Sequence, residues 1–74
     1  MTTVLDVTNL LCPLPVLRTK KAMKTIGVGE VLEVHATDPG SVKDMPVFCR
    51  QTGNELVDWR QDGEIYIFRI KRLV

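Results

Sequence analysis

Hydrophobic spacing changes period four times along this chain, and that alternation limits its fold more than any other feature. In "TVLDV", Leu5 and Val7 share one parity while Val4 and Asp6 share the other, the two-residue period of a strand. From Val16 the apolar positions move to helical spacing. At about 100° per residue, Val16, Thr19, Met23 and Ile26 form one stripe with Ala22 on its flank. Arg18, Lys20, Lys21 and Lys24 cover the opposite side, and Gly27 and Gly29 end the segment. "EVLEVHAT" returns to alternation, with Leu32, Val34 and Ala36 on one face and Val31, Glu33 and His35 on the other.

"DPGS" then reads as a turn into a second helix. Ser41 is the expected N-cap, with Asp44 completing a weak capping box. Pro46 should loosen the first turn toward 3₁₀ geometry, while Val42, Met45 and Cys49 share one helical face and Gly53 ends the element. "NELVDWRQ", the turn "DG" and "EIYIFRIKR" form a hairpin pattern. Its last strand should send Tyr66, Phe68 and Ile70 to the core and Ile65, Ile67 and Arg69 outward.

The order is β-α-β-α-β-β within 74 residues, read as a single domain over 1–74. Two helices cannot cover both faces of so small a sheet, so the expected fold is α+β. It is a two-layer α/β sandwich, with a four-stranded mixed sheet and both helices on one face. The open face is expected to carry Val57, Trp59, Ile65 and Ile67. Lys and Arg number 10 against 9 Asp and Glu. This near-balance excludes a global pull toward nucleic acid or anionic membrane, though not a local patch. "MTTVLDV" lacks a signal-peptide pattern, and no apolar run approaches the roughly 20 residues of a membrane span. The expectation is a reduced, cytoplasmic setting with both cysteines free.

In "LLCPLPVLRTKKAM", Pro13 suits the first helical position, which makes Cys12 the expected N-cap. A sulfur there faces free backbone N–H groups and the positive end of the helix dipole. Those conditions favour thiolate and lower a cysteine's pKa, and Arg18 and Lys20 add positive potential. Pro15 further fixes the approach to the helix. Ser, Thr, Asp or Asn would cap better, and free cysteine is usually buried, so a merely structural Cys12 is the weaker reading. Cys49 goes the other way, since it shares the Val42 and Met45 face and suits a small core hydrophobe.

Acyl transfer through Cys12 would need a histidine base and an orienting carboxylate. His35 is the only histidine, and its strand gives no reason to place it near Cys12. A redox protein would need a resolving cysteine, which "CPLP" lacks, and no Cys/His cluster has metal-ligand spacing. Accepting and passing on a group held on the sulfur fits best, with partner enzymes supplying the acid–base work. A second class stays open: a non-catalytic regulatory or RNA-associated module using the basic first helix.

"LLCPLPVLRTKKAM" resembles the CPxP signature of the TusA/SirA-like sulfur carrier (sulfurtransferase) family. The similarity runs on through "VLEVHATDPGSVKDMPVFC" and "GNEL". The resemblance implies a fold similar to the C-terminal domain of translation initiation factor three. It implies that Cys12 forms a persulfide, that Pro13 and Pro15 are structural parts of the motif, and that no cofactor is needed. A rhodanese or cysteine desulfurase would donate the sulfur, and an acceptor protein would take it. Family members serve transfer-RNA thiolation, molybdenum-cofactor enzymes or dissimilatory sulfur oxidation, and the wording here is nearest to the last.

Two readings of Arg18, Lys20, Lys21 and Lys24 stand side by side: a solvated helix face, or a docking surface for acidic partners joined by Lys43. Direct nucleic-acid binding is not expected, because no aromatic interleaves those charges. Asp38 and Pro39 should shape their turn. Asp38, Lys43 and Asp44 would border the thiol if both helix N-termini met at one sheet edge. Trp59 with Val57 and Ile67 is either a partner or self-association patch or packed under a bulky neighbour. A monomer or weak self-association is expected.

Overall fold

The computed structural model describes residues 2–74. Its elements are β1 (Thr2–Val7), α1 (Leu14–Met23), β2 (Val31–Ala36), α2 (Ser41–Thr52), β3 (Glu55–Asp62) and β4 (Ile65–Lys71). They form one mixed sheet in the order β1-β2-β4-β3. β1 runs parallel to β2, and β4 is antiparallel to both β2 and β3. The predicted element order and mixed four-stranded sheet are therefore present.

Alternation decides which side of each strand meets the helices. Leu5 pairs with Val34 and Val7 with Ala36, while Phe68 stands opposite Val34 and Ile70 opposite Leu32. Leu32, Val34, Ala36, Phe68 and Ile70 are fully buried. α1 lies against β1 and β2, α2 lies against β3 and β4, and the two helices touch each other. α1 contributes buried Thr19 and Met23, and α2 contributes buried Met45, Phe48 and Cys49. Ile26 is buried although α1 ends at Met23, three residues sooner than the apolar stripe suggests. Buried Thr19 satisfies its hydroxyl by donating to the Pro15 carbonyl at 2.7 Å, as a polar side chain in the core must.

The second helix begins differently from its sequence expectation. Gly40 is the N-cap and Ser41 is the first helical residue, so Asp44 closes no capping box. Three-residue hydrogen bonds, Val42 N–H to the Pro39 carbonyl and Lys43 N–H to the Gly40 carbonyl, do tighten the start of α2. The segment from Ser41 is nonetheless continuous α-helix across Pro46. Gly53 ends it in the left-handed region at φ +78°, where a side chain is costly.

A β-bulge corrects the expected open face. Leu56 pairs with Ile70 and Asp58 with Arg69, so Val57 is the extra residue. Beyond a bulge, alternation resumes on the opposite parity. Trp59 thus stands opposite Phe68, on the helix-bearing side, instead of sharing the open face with Ile65 and Ile67. Its ring stacks on Phe68 with centroids 5.9 Å apart and tilts against Tyr66 at 6.5 Å, while 42% of the residue stays exposed. Ile67 does face away from the helices, between His35 and Arg60 of the flanking strands, yet it is buried. Polar pairs occupy much of that face: Glu33 with His35 at 2.7 Å and the ion pair of Asp58 with Arg69 at 3.0 Å. An ion pair as exposed as Asp58 with Arg69 contributes little to stability.

Candidate functional site

The loops that follow β1 and β2 leave the same edge of the sheet, because the two strands are parallel and in register to Val7 and Ala36. The first loop turns sharply at Thr8, whose N–H and hydroxyl both donate to the Asp6 carboxylate at 2.9 and 2.6 Å. These bonds hold Asp6 below its ordinary pKa. Asn9 adopts the left-handed region at φ 66°, and its N–H donates to the Thr37 hydroxyl at 2.8 Å. The two loops are thereby tied together one step before Cys12.

Asp38 makes the next tie. One carboxylate oxygen accepts the Cys12 N–H at 2.9 Å and the other accepts the Gly40 N–H at 3.2 Å. The turn that starts α2 therefore also sets the height of the cysteine. From the first turn of α2, Asp44 reaches the thiol itself: Cys12 Sγ donates to its carboxylate at 3.4 Å. A Cβ placed on Gly40 would lie 3.4 Å from an Asp38 oxygen and 3.7 Å from an Asp44 oxygen, so the two carboxylates converge on that glycine. Replacing Asp38 by alanine should cost roughly 1–2 kcal/mol and speed amide exchange at Cys12 and Gly40, read by NMR. Unchanged exchange at both amides would show that the loop is held by something else.

Cys12 is exposed and lines a groove of about 310 Å³ between the helices. Pro13 and Val16 of the first helical segment form one wall, and Lys43, Asp44, Val47, Phe48 and Gln51 of α2 form the other. Leu11, Leu14 and Leu17, within five residues of the cysteine in the chain, are also exposed, at 72, 42 and 53%. The sequence reading singled out neither these leucines nor the Val47, Phe48 and Gln51 wall. Leu11 beside the Cys-Pro pair was the available signal, because an apolar residue there has no core to enter.

Two expectations for Cys12 are corrected. It is not the N-cap: α1 starts at Leu14, the cap position belongs to Pro13, the peptide between Cys12 and Pro13 is cis, and no side chain caps the helix. Nor is its pKa lowered. The hydrogen bond to Asp44 raises it above the ordinary cysteine value, followed by desolvation and the charges of Asp44 and Asp38. The first helix alone offers free N–H groups, a dipole and the charges of Arg18 and Lys20, all of which favour thiolate. The carboxylate that α2 brings to the thiol as a hydrogen-bond acceptor lies outside that local sequence, and it sets the opposite direction.

The other candidates fall into separate places. Pro15 is buried in the first turn of α1, and Pro13 is exposed on the groove wall. Of the basic residues, Lys43 lines the groove with Cys12, while Lys20 and Lys24 flank a pocket with Arg72 and Val74, and Arg18 and Lys21 flank another beside Leu5. The basic stripe thus turns two ways and does not converge on the thiol. Cys49 is buried, and burial pushes its thiol up to about 11. His35 faces the open side of the sheet beside Glu33, with the sheet between it and the groove. Among the described residues no group of His, Cys, Asp and Glu is arranged to hold a metal ion, and no helix is long and apolar enough to cross a membrane.

Known proteins share this arrangement of elements. A solved SirA-like protein from Desulfitobacterium hafniense superposes over the whole of both chains with a TM-score of 0.83 at 24% identity, a likeness of fold. The sulfur carrier protein TusA of Allochromatium vinosum is 52% identical over 68 residues, covering 92% of this chain and 90% of that one. A putative sulfur carrier protein of Neisseria meningitidis is 57% identical over 60 residues, 80% of this chain and 81% of its own. The family model described as Sulfurtransferase TusA matches residues 3–72. On that match and those identities, the chain belongs to the TusA family of sulfur carriers.

Proposed function

We propose that Cys12 carries sulfur as a persulfide, taking it from a donor protein and yielding it to an acceptor. The observation that supports this reading most is the exposed thiol lining a largely apolar groove, with the second cysteine buried in the core and the histidine on the other face of the sheet. The transfer is a redox-neutral exchange. Cys12 sulfur bonds to the terminal sulfur of the donor's persulfide, the donor's sulfur–sulfur bond breaks, and the donor thiolate leaves and takes up the proton that Cys12 lost. Handing on repeats the step with Cys12 as leaving group. No group on this chain needs to hydrolyse or oxidise anything, and no cofactor enters.

Leu11, Leu14 and Leu17, near Cys12 in the chain, supply apolar contact for both partners. Lys43 within the groove, and Arg18, Lys20, Lys21 and Lys24 outside it, steer acidic regions of the partner surfaces. The donor is a rhodanese or a cysteine desulfurase, and the acceptor belongs to transfer-RNA thiolation, molybdenum-cofactor supply or sulfur oxidation in a cytoplasmic setting. Intact-mass spectrometry tests the reading. Incubation with a cysteine desulfurase and cysteine, or a rhodanese and thiosulfate, should add the mass of one sulfur atom, and dithiothreitol should remove it. Absence of that gain with both donors would overturn the proposal.

A further inference from the structure

Two carboxylates stand beside the thiol, and among the described residues neither has a cation of its own. Among the described residues the close pairs are the hydrogen-bonded His35 with Glu33 and the ion pair Arg69 with Asp58, both away from the groove. Lys43 lines the groove next to Asp44, yet its ammonium lies beyond ion-pair distance of Asp44 and of Asp38. Pro13 and, from α1, Val16 complete the groove lining without adding a charged side chain. Asp38 is occupied by two backbone N–H groups. Asp44 is the one that meets sulfur, and the thiol donates to it at 3.4 Å.

We infer that Asp44 is a specificity-determining residue for Cys12: it withholds the thiolate from neutral and anionic electrophiles and admits sulfur donors that present positive charge beside their sulfane sulfur. The inference rests on the persulfide reading above and deepens it. The thiolate is the nucleophile, and a carboxylate that accepts from the thiol favours the protonated, unreactive form. A Lys or Arg brought by the donor offers Asp44 charge-assisted hydrogen bonds in place of the thiol's weak one. The thiol then loses its acceptor and ionises where the donor's sulfur waits. An anionic electrophile meets repulsion from Asp38 and Asp44 and brings no such relief.

The consequence is readable without any natural partner, using disulfides of opposite charge. Cystamine carries two ammonium groups and 3,3′-dithiodipropionate two carboxylates. Each forms a mixed disulfide on Cys12 and releases one thiol, with no change in overall oxidation state. In the wild-type protein at low ionic strength and neutral pH, cystamine should react faster. Asp44→Asn should reduce the cystamine-to-dithiodipropionate rate ratio at least about threefold, and high salt should reduce the wild-type ratio similarly. Alkylation by neutral iodoacetamide should rise in Asp44→Asn, by less than the gain in thiolate because nucleophilicity falls with pKa. Asp44→Glu should restore much of the ratio, which a purely structural role would not require.

A ratio insensitive to both Asp44→Asn and salt would overturn the inference, and the salt arm uses only the native protein, so it holds even if the variant folds poorly. The two failures are separable. If the protein gains sulfur from its donors but the ratio stays flat, Asp44 loses its role and the carrier reading stands. If no donor loads Cys12, the carrier reading falls whatever the ratio shows.

Discussion

Cys12→Ser should abolish the donor-dependent mass gain entirely while leaving the unfolding midpoint within experimental scatter of the parent. The residue is exposed, and serine keeps the backbone N–H that Asp38 accepts. What it removes is the sulfur, and a hydroxyl cannot form the sulfur–sulfur bond on which the exchange depends. Cys49→Ser should behave in the opposite way, still gaining one sulfur but losing roughly 1–3 kcal/mol of stability, because it buries a hydroxyl where a thiol filled apolar space. Cys49 is 2% exposed and belongs to the core with Met45 and Phe48. A mass gain that survives Cys12→Ser, or vanishes in a folded Cys49→Ser, would move the carrier site elsewhere.

The buried thiol also links stability to alkaline pH. Burial raises Cys49 to about 11 in the folded protein, so the folded state binds its proton more tightly than the unfolded chain does. Stability from this group is complete below the unfolded value near 8.5 and is lost as pH rises toward 11. Wild type should therefore lose more stability than Cys49→Ser across that alkaline window in urea melts. Equal losses in the two proteins would count against it.

The largest effect on folding is expected at Phe68→Ala. Phe68 is fully buried on β4, with Val34 of β2 and Trp59 of β3 directly across from it. Removing its ring leaves a cavity between sheet and helices and strips the surface on which Trp59 stacks. Large-to-small changes of this kind cost about 3–5 kcal/mol. A chain of this length holds roughly 4–11 kcal/mol in all, so Phe68→Ala should be largely unfolded or melt far below the parent. Ile65→Ala, on the same strand but 37% exposed and facing away from the helices, should cost less than about 1.5 kcal/mol. Similar melting of both variants would mean that Phe68 does not anchor the core between sheet and helices.

Short-range patterning carried most of this fold. The alternation of Leu32, Val34 and Ala36, and the helical spacing of Met45 and Cys49, recur as buried faces in the structure. Periodicity predicts burial wherever the backbone keeps its period. It failed at Val57, where one extra residue reversed the parity and moved Trp59 to the other side of the sheet. A bulge adds no distinctive residue type that a single sequence would reveal. It also failed at the end of α1, where Ile26 kept its burial after the helix had stopped.

Cys12 stood out from its own neighbourhood: a thiol between leucine and proline at the head of an amphipathic segment, far in sequence from the one histidine. Its electrostatic state did not. Cys12 and Asp44 are separated by 32 residues, and only the parallel pairing of β1 with β2 brings the loops after both strands to one edge. Local sequence governs dihedral preference, periodicity and the ends of helices, because those depend on atoms a few residues apart. The charge seen by a sulfur depends on distance through space, and here that distance was set by strand register. Patterning could therefore specify two helices over a four-stranded sheet and single out the cysteine, whereas the sign of the shift on its thiol was decided when the second helix delivered a carboxylate to it.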